Sequence, residues 1–476
     1  MTATATDLPR STASSAAPRR WWPLAILMIG TFMFVLDFFI VNVALPTIQQ
    51  NLGASPSAIE WIVAGYAIST AVLLVTGGRL GDQFGRRRMF AIGLIGFVLT
   101  SAACALAPDP GTLVAARVLQ GVGAALMAPN ILSILGVIYT GPDRVRAISV
   151  YGMVMGLAAT SGQLIGGVLI RTDLAGLGWR AIFWINVPLG VAALVASPRL
   201  IPESRAARGS RFDLTGVVLI TATLVALVLP LVDGRQEGWP AWSWATLAAS
   251  APLAALFVWH QRRVADRGGS PLLNPQVFAS WPLRAGLITQ TAFWCQQAAS
   301  YLVLGLYLQQ GRGLSPLAAG GVFTFLAAGY LITSFQAPAL TMRFGRQVIA
   351  AGALTAALGD AALYLATTHA GGGGSVAWLF PGLLLLGAGQ GLCITPLTTT
   401  VLSHADPATA GSVAGALSTA QQVGNSVGVA LTGVLFFGAL SDGYGLAFER
   451  SALQMGVLLL AVAALTRLMP ARRATA

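Results

Sequence analysis

The feature that most constrains this chain is a succession of fourteen long apolar runs separated by short polar segments. A helix that crosses the hydrocarbon core of a bilayer needs about 20 apolar residues, and each run is close to that length. The runs lie near residues 23–46, 58–77, 89–107, 112–139, 147–170, 181–198, 213–232, 242–260, 284–308, 317–338, 347–367, 377–402, 411–438 and 451–469. The sequence therefore predicts an all-α polytopic membrane protein with fourteen spans.

The composition excludes a water-soluble enzyme. Of the 476 residues, 55% are hydrophobic and 9% are charged, whereas soluble domains have about 25% charged residues. No metal-ligand spacing, nucleophile–base pair or phosphate-binding loop occurs, and the histidines are scattered, with His260 at a span end. We therefore expect no enzyme activity, no metal and no cofactor. Cys104, Cys295 and Cys393 each lie inside an apolar run and are predicted to be core residues.

The net charge of +12 reflects membrane topology. Most arginines fall in every second loop, and cytoplasmic loops are the ones enriched in basic residues. This placement predicts that both termini are cytoplasmic and that the partner is the lipid bilayer of the cell membrane. It argues against nucleic acid as a partner.

Two short matches indicate duplicated halves. Residues 83–86 are echoed at 343–346, 260 residues later, and residues 162–166 at 424–428, 262 residues later. The predicted organisation is a disordered cytoplasmic N-terminus (1–21), a six-helix bundle (22–200), linkers with two inserted transmembrane helices (201–283), a second six-helix bundle (284–469) and a cytoplasmic tail (470–476). Two six-helix repeats around a central site describe an alternating-access transporter. One chain carries both halves, so we expect a functional monomer.

A charged connector between the second and third spans, residues 77–88, is named here the gating segment. Gly77, Gly81 and Gly85 fall four apart, so on a continuous helix they would allow close approach of another helix. One acid and four arginines accompany them. The predicted gating residues are Gly77, Gly81, Asp82, Gly85, Arg86 and Arg87. We expect Asp82 to meet a helix N-terminus or an arginine of the other half when the cytoplasmic side is closed.

Asp37 and Arg117 are charges inside apolar runs. Each costs about 2.5–3.5 kcal/mol at mid-bilayer, so each needs a partner, water or neutralisation. Their depths are close enough for a direct or water-bridged pair. Two interpretations remain open, a static ion pair and a proton-exchange site. Asp360 is a second deep acid, for which a proton site stays open beside a structural pairing or a position at a span end. Glu60, near the outer start of the second span, is expected to face water.

Polar amides inside the spans are candidates for a substrate cavity. The repeat places Gln163 and Asn425 at matching positions in the two halves, where both would touch a central ligand. The predicted cavity residues are Asn42, Gln120, Gln163, Trp294, Gln297, Gln390 and Asn425.

Four segments resemble motifs of the major facilitator superfamily, in its fourteen-span drug:proton antiporter branch of multidrug efflux exporters. They are the gating segment, residues 36–46, residues 117–125 and residues 179–190. The resemblance implies a major facilitator fold with two six-helix bundles and two extra helices. It also implies that Arg117 takes part in proton transfer.

The chain departs from that branch at several positions. Phe39 stands where threonine is usual, and Ala158 and Gln163 replace a glycine and a proline of the fifth-span antiport motif. Met342 stands where Asp82 would repeat, so the carboxylate lies in one half only.

The resemblance implies proton-coupled efflux of lipophilic small molecules, drugs or antibiotics, with the proton gradient as energy source. The altered fifth span leaves open a proton-coupled symporter that imports a metabolite. A membrane sensor or lipid-handling protein without transport activity is a further alternative.

Overall fold

The computed structural model describes residues 21–205, 213–269, 271–273, 275, 280–370, 374–402 and 410–469. These residues form fifteen α-helices and short 3-10 and π-helical turns. The helices are α1 (Trp22–Leu52), α2 (Pro56–Phe84), α3 (Arg86–Leu106), α4 (Pro110–Ile138), α5 (Gly141–Thr172), α6 (Ala181–Trp184), α7 (Asn186–Leu200), α8 (Leu214–Gln236), α9 (Ala241–Asp266), α10 (Trp281–Leu306), α11 (Pro316–Phe344), α12 (Gln347–Ala370), α13 (Phe380–Leu402), α14 (Ala410–Gly438) and α15 (Tyr444–Leu465). Apart from Trp21, the predicted N-terminus (1–21) and tail (470–476) lie outside the described residues.

Eleven helical segments of the described chain are long and apolar enough to cross a membrane. α5, which bends by 46° between Arg146–Ala159 and Ser161–Thr172, makes a twelfth when it is taken as one span. α10 and α14, with 26 and 29 residues, are also long enough to cross a membrane. They carry several amides and are not among the eleven. The prediction of a multi-span all-α membrane protein is confirmed, and the count of fourteen spans stays a prediction.

The helices pack in the same order in the two halves. α1 packs on α5 as α10 packs on α14, and α4 lies between α2 and α3 as α13 lies between α11 and α12. Gly162 and Gly166 approach α1 closely, and Gly424 and Gly428 approach α10 in the same way. The halves meet at two seams, α5 with α11 and α2 with α14. α10 begins at Trp281, slightly before the start at 284 that the sequence predicts for the second bundle.

Capping residues define where several helices begin. Ser55 and Ser315 accept hydrogen bonds from the backbone of α2 and α11, each just before a proline in the first turn. Asp109 forms a capping box with Thr112 at the start of α4. The hydrogen bonds from the Thr112 backbone and side chain hold the pKa of Asp109 below its ordinary value.

The halves are joined at the end of the molecule opposite the gating segment. We call the end with the gating segment the basic end and the other the opposite end. Gln309 Nε2 donates to the Val43 carbonyl over 2.9 Å, and Gln310 Nε2 donates to Gln49 Oε1 over 2.7 Å. Glu60 is buried near Gly433 of α14. The prediction that Glu60 faces water is therefore wrong, because α14 covers this part of α2.

Candidate functional site

Asp37 and Arg117 form a direct salt bridge inside the N-terminal half. Arg117 Nη1 lies 2.5 Å from Asp37 Oδ2, and both side chains are fully buried. Asp37 lies at the middle of α1, and Arg117 lies two turns into α4. A buried charge that loses its partner costs about 3–5 kcal/mol, so neither residue can change its charge without a response from the other.

Uncharged polar groups complete the shell of the carboxylate. Gln120 Nε2 and Asn186 Nδ2 donate to Asp37 Oδ1 over 2.9 and 2.8 Å. The same two amides donate to Ser101 Oγ over 2.7 and 3.3 Å. Asp37, Gln120, Asn186, Ser101 and Arg117, from the four helices α1, α3, α4 and α7, are the ion-pair cluster. In this cluster the Asp37 carboxylate accepts hydrogen bonds from one cationic donor, Arg117, and from two neutral amides.

Arg117 has anchors that do not depend on Asp37. Its Nε donates to the Ile62 carbonyl over 2.9 Å, and Nη1 also donates to Gln120 Oε1 over 2.8 Å. The guanidinium carbon lies 4.3 Å from the centroid of the Tyr66 ring and 5.9 Å from that of Phe183. Such cation–π contacts stabilise a desolvated arginine. Arg117 can therefore stay in place when the charge on Asp37 changes.

A cavity lies between the halves at mid-depth. Its walls come from both halves and are mostly apolar and aromatic, with three glutamines and one asparagine. It is lined by Phe34, Val35, Phe38, Phe39, Met155, Gly156, Ala159, Trp294, Gln297, Tyr330, Ile394, Gln421, Gln422 and Asn425. A second cavity, nearer the basic end, shares Phe34, Met155, Gln421 and Gln422 with it.

Each cavity offers about 40 Å³ to water-sized molecules. A buried water needs roughly 10–15 Å³ by this measure, so each has room for a few waters. A drug-sized molecule needs more space than either volume provides.

The predicted cavity residues divide into two groups. Trp294, Gln297 and Asn425 line the cavity. Gln120 lies in the ion-pair cluster, and Gln163 Nε2 donates to the Phe39 carbonyl over 2.8 Å. Asn42 donates back to the same carbonyl over 3.0 Å. These three side chains bond within the ion-pair cluster or to the backbone of α1, and they are not among the residues that line the cavity.

Gln390 is also buried outside the lining, in α13. Its two side-chain polar atoms have no hydrogen-bond partner among the described residues.

The cluster and the cavity lie on different faces of α1. Asp37 points into the N-terminal half, while its neighbour Phe38 lines the cavity and contacts the Tyr66 ring, with centroids 6.0 Å apart. Phe39 packs on Tyr301 of α10, with centroids 4.8 Å apart. A ligand that displaces these aromatic rings would therefore act on the helix that carries the carboxylate.

The match to known families agrees with this architecture. Residues 27–429 match the model of the Major Facilitator Superfamily. The chain belongs to the Major Facilitator Superfamily. Its membership makes it a membrane transporter, a class of proteins that generally perform no enzymatic reaction.

Curated relatives within the superfamily are named as exporters or resistance proteins. The chain is 39% identical to the probable actinorhodin transporter of Streptomyces coelicolor, over 91% of this chain and 76% of the relative. It is 35% identical to the puromycin resistance protein pur8 of Streptomyces alboniger, over 89% and 83% of the two chains. It is also 35% identical to the cephamycin export protein CmcT of Amycolatopsis lactamdurans, over 94% and 92%.

Solved major facilitator structures share the fold. An auto-inhibited peptide transporter of the POT family matches with a TM-score of 0.67 at 16% identity, over 94% of this chain and 97% of the other. A D-xylose–proton symporter matches with a TM-score of 0.64 at 15% identity, over 92% and 96%. At these identities the likeness describes the helix arrangement alone.

In this major facilitator chain the gating segment is held mainly by the N-terminal half. α2 continues to Phe84, so Gly77 and Gly81 lie on one helix and pack against α4. Asp82 pairs with Arg86 over 2.7 Å, and the Asp82 side chain is 39% exposed. The expected meeting of Asp82 with the other half is not seen in this conformation, in which the halves are joined at the opposite end.

A residue that sequence reasoning missed caps the third helix. Glu203 Oε1 and Oε2 accept hydrogen bonds from the backbone N–H groups of Arg87 and Arg88 over 3.1 and 3.2 Å. Gly85 adopts φ 114°, and a Cβ there would lie 2.8 Å from the Glu203 carboxyl group. The carboxylate at the start of α3 therefore comes from the segment that follows α7 and not from Asp82.

Asp360 remains apart from the ion-pair cluster. It is buried in α12, and its Cβ faces Gly456 of α15. Neither carboxylate oxygen has a hydrogen-bond partner among the described residues. Among the described residues no cation pairs with Asp360, so the interpretation as a structural ion pair gains no support. The interpretation as a proton site stays a prediction.

Proposed function

We propose that this chain is a proton-coupled exporter that moves lipophilic small molecules, drugs or antibiotics out across the cell membrane. The observation that carries the proposal is the position of α1, which holds the buried Asp37–Arg117 pair on one face and lines the cavity with aromatic side chains on the other. Coupled transport requires that the proton site and the substrate site affect each other, and one helix that carries both provides such a link.

Proton exchange would act through the ion pair. When Asp37 is ionised, Arg117, Gln120 and Asn186 all donate to it. When Asp37 takes up a proton, the charge attraction to Arg117 is lost, while Arg117 keeps its bonds to the Ile62 carbonyl and Gln120. The two protonation states of Asp37 therefore favour different positions of α1 relative to α4.

The mostly apolar and aromatic lining of the cavity favours an apolar substrate. Aromatic rings from both halves, including Phe34, Phe38 and Trp294, supply flat apolar surface, and Gln297 and Asn425 supply hydrogen-bonding groups. Pockets of this kind bind drug-sized molecules through apolar contact and orient them with few polar groups. The names of the relatives, which include transport and resistance to antibiotics, support export as the direction.

The remaining parts of the proposal follow from the sequence. Fourteen spans, two cytoplasmic termini and a functional monomer are proposed, and the proton gradient serves as the energy source without a cofactor. The basic end would then face the cytoplasm. The conformation described here, joined at the opposite end, would be the one that admits substrate from inside.

Asp82 is proposed as a one-sided cytoplasmic latch. In the alternate conformation it would leave Arg86 and meet the other half, which has Met342 and no carboxylate at the matching position. Asp82→Asn should slow transport while leaving substrate binding nearly unchanged. Lost binding with normal rates of conformational exchange would contradict this role.

The test uses purified protein in proteoliposomes with a pH gradient, and ethidium and puromycin as probes. Asp37→Asn should abolish gradient-driven uptake into inside-out vesicles, and because it leaves the buried Arg117 without its counter-ion it should also lower the thermal stability. Uptake is therefore compared at equal amounts of folded protein, at a temperature at which both proteins are folded. Asp173→Asn, which removes an exposed acid, is the control and should transport normally. Gradient-driven transport that persists in Asp37→Asn would remove this residue from the coupling mechanism.

Import remains the second candidate because Ala158 and Gln163 replace residues of the antiport motif. Adding substrate to vesicles of known orientation distinguishes the two directions. An antiporter moves protons opposite to the substrate, and a symporter moves them together with it.

A further inference from the structure

The last turn of the tenth helix is π-helical. It follows α10 directly, at the opposite end of the molecule, and covers Tyr307–Gly311. The Arg312 N–H donates to the Tyr307 carbonyl, five residues back, over 2.9 Å, whereas an α-helix joins residues four apart. Single turns of this kind are rare and occur frequently at functional sites. Tyr307–Gly311, named here the π-turn, lies where α10 meets α1 of the other half.

Two glutamines of the π-turn donate hydrogen bonds to α1. The buried Gln309 donates from Nε2 to the Val43 carbonyl over 2.9 Å. Its neighbour Gln310 donates from Nε2 to Gln49 Oε1 over 2.7 Å. Val43 and Gln49 are six residues apart in α1, which is about 9 Å of helix. The π-turn therefore holds nearly two turns of α1.

The two helices approach each other closely at the same level. Pro46 lies inside α1 and has no N–H, so the Asn42 carbonyl, four residues earlier, lacks its usual helical donor. Gly305, two residues before the π-turn, faces this carbonyl, since a Cβ there would lie 3.3 Å from the oxygen. A missing N–H in α1 thus meets a missing side chain in α10, which brings Gln309 within reach of the backbone of α1.

On its other side the π-turn is fixed to α15 of its own half. The Tyr307 ring stacks on Phe448, with centroids 4.6 Å apart. The Tyr444 hydroxyl donates to Gln310 Oε1 over 2.7 Å. Because this hydroxyl occupies the amide oxygen, the amide nitrogen of Gln310 is the atom that faces Gln49. The C-terminal half therefore orients the donor that binds α1.

The groups that form these bonds between the halves are uncharged. Hydrogen bonds between neutral groups contribute little individually, so this contact can open without the separation of an ion pair. Asp37 lies six residues before Val43 in α1, about 9 Å along the helix. A shift of α1 that follows a change in the ion-pair cluster therefore reaches the π-turn through a single helix.

From these contacts we infer that the π-turn is the external gate, the contact that closes the cavity toward the outside, with Gln309 and Gln310 as its positioning residues. The inference rests on the transport and the topology proposed above, in which the opposite end faces outside. When both bonds break, the π-turn returns to α-helical bonding. The Tyr307 carbonyl then accepts from the Gly311 N–H in place of the Arg312 N–H, and the halves separate at this end.

The first arm of the test needs no substrate. Spin labels are placed at Thr172 and Ser441, which are exposed at the opposite end of the two halves, after replacement of the three buried cysteines. Double electron–electron resonance in lipid nanodiscs measures the distance between the labels. Gln309→Leu and Gln310→Leu remove the donors and keep most of the side-chain volume. Each should raise the ratio of separated to joined molecules roughly fivefold.

The matched control is Gln50→Ala, which removes an exposed glutamine of α1 and should leave the ratio unchanged. Unchanged ratios in both Gln309→Leu and Gln310→Leu overturn the external gate.

Hydrogen–deuterium exchange tests the change of bonding within the π-turn. In the double variant Gln309→Leu/Gln310→Leu, the Arg312 amide should exchange at least fivefold faster, because it loses the Tyr307 carbonyl in the separated molecules. Exchange at Arg312 that stays at the wild-type rate while the labels separate overturns the return to α-helical bonding.

The second arm measures ethidium uptake into inside-out vesicles. In the proposed mechanism only molecules joined at the opposite end accept the probe from the cytoplasmic side. The apparent KM should therefore rise by the factor by which the joined fraction falls. The double variant Gln309→Leu/Gln310→Leu should show the largest rise, and Gln50→Ala should keep the wild-type KM.

A lower joined fraction with an unchanged KM overturns the role of the π-turn in transport. If the wild-type chain moves no probe, the proposed transport function fails, while the label distances still decide whether Gln309 and Gln310 join the halves.

Discussion

The hydroxyl of Tyr66 donates to the carbonyl oxygen of Phe34 over 3.1 Å, and the ring of the same tyrosine lies under the guanidinium of Arg117. Phe34 lines both cavities. Tyr66 therefore contacts the ion-pair cluster with its ring and the cavity wall with its hydroxyl. This is a physical connection between the two sites that does not pass through Asp37.

Replacing Tyr66 by phenylalanine removes the hydroxyl and keeps the ring under Arg117. The lost hydrogen bond is worth about 1 kcal/mol, so the equilibrium between the two positions of α1 should change roughly fivefold. We expect fewer substrate molecules exported per proton, measured by parallel dye and pH recordings in proteoliposomes. Tyr66→Ala, which also removes the cation–π contact, should lower thermal stability in addition. Equal stoichiometry in wild type and Tyr66→Phe would contradict the connection.

The stripe of small residues in α2 makes a prediction with a matched control. A Cβ at Gly77 would lie 2.1 Å from the Ala125 carbonyl oxygen, a backbone atom that cannot move aside. A Cβ at Gly78 would lie 3.5 Å from Pro129, an ordinary contact. Gly77→Ala should therefore destabilise the protein by about 1–3 kcal/mol, and Gly78→Ala should leave thermal unfolding unchanged. Equal melting temperatures for the two variants would contradict the close packing of α2 on α4.

These examples show which parts of the site the sequence predicts. Asp37 and Arg117 stand out because a charge in an apolar run requires a partner, and the superfamily motifs point to the same residues. Asn186 lies in the motif-like segment 179–190, but nothing there singles it out from its neighbours, and Ser101 carries no signal, since neutral polar residues are common inside spans. Glu203 could not be found either, because no sequence pattern links the segment after α7 to the start of α3.

The cavity residues were harder to predict for a different reason. A helix buried on most sides is apolar all round, so its sequence does not indicate which face lines a central space. Gln163 and Asn425 match in the repeat, but only Asn425 reaches the cavity. The prediction that Glu60 is exposed was wrong for a related reason, because its burial depends on α14, which lies far away in sequence.

The pH dependence of Asp213 provides a test of the inserted pair that does not involve transport. Burial raises the pKa of Asp213, but hydrogen bonds from His260, Gly216 and Gln261 outweigh it and hold the pKa below its ordinary value. An acid with a lowered pKa in the folded state stabilises the fold above its unfolded pKa, about 3.9, and loses this contribution as the pH falls through its folded pKa.

The neighbouring charged groups are His260 and Arg79, which itself interacts with Asp82. The difference in melting temperature between wild type and Asp213→Asn should be full at pH 6, begin to decrease near pH 3.9 and disappear once the pH has fallen through the folded pKa of Asp213. A difference independent of pH would mean that Asp213 acts through packing alone.

The two matching amides of the repeat should behave differently when truncated. Asn425 Oδ1 is buried at the cavity without a hydrogen-bond partner among the described residues, while Nδ2 donates to Gln422 over 3.1 Å. Asn425→Ala removes an acceptor at the cavity that no described protein group uses and that a substrate can therefore engage. Its KM values for a panel of lipophilic probes should therefore shift by roughly two- to tenfold, corresponding to about 0.5–1.5 kcal/mol, with little change in melting temperature.

Gln163→Ala should instead release the Phe39 carbonyl and lower the melting temperature, with similar proportional effects on all probes. Direct binding measured by fluorescence anisotropy, together with thermal unfolding, distinguishes the two outcomes. Probe-dependent affinity changes in Gln163→Ala and uniform ones in Asn425→Ala would reverse the assignment and place the substrate on the α5 side of the cavity.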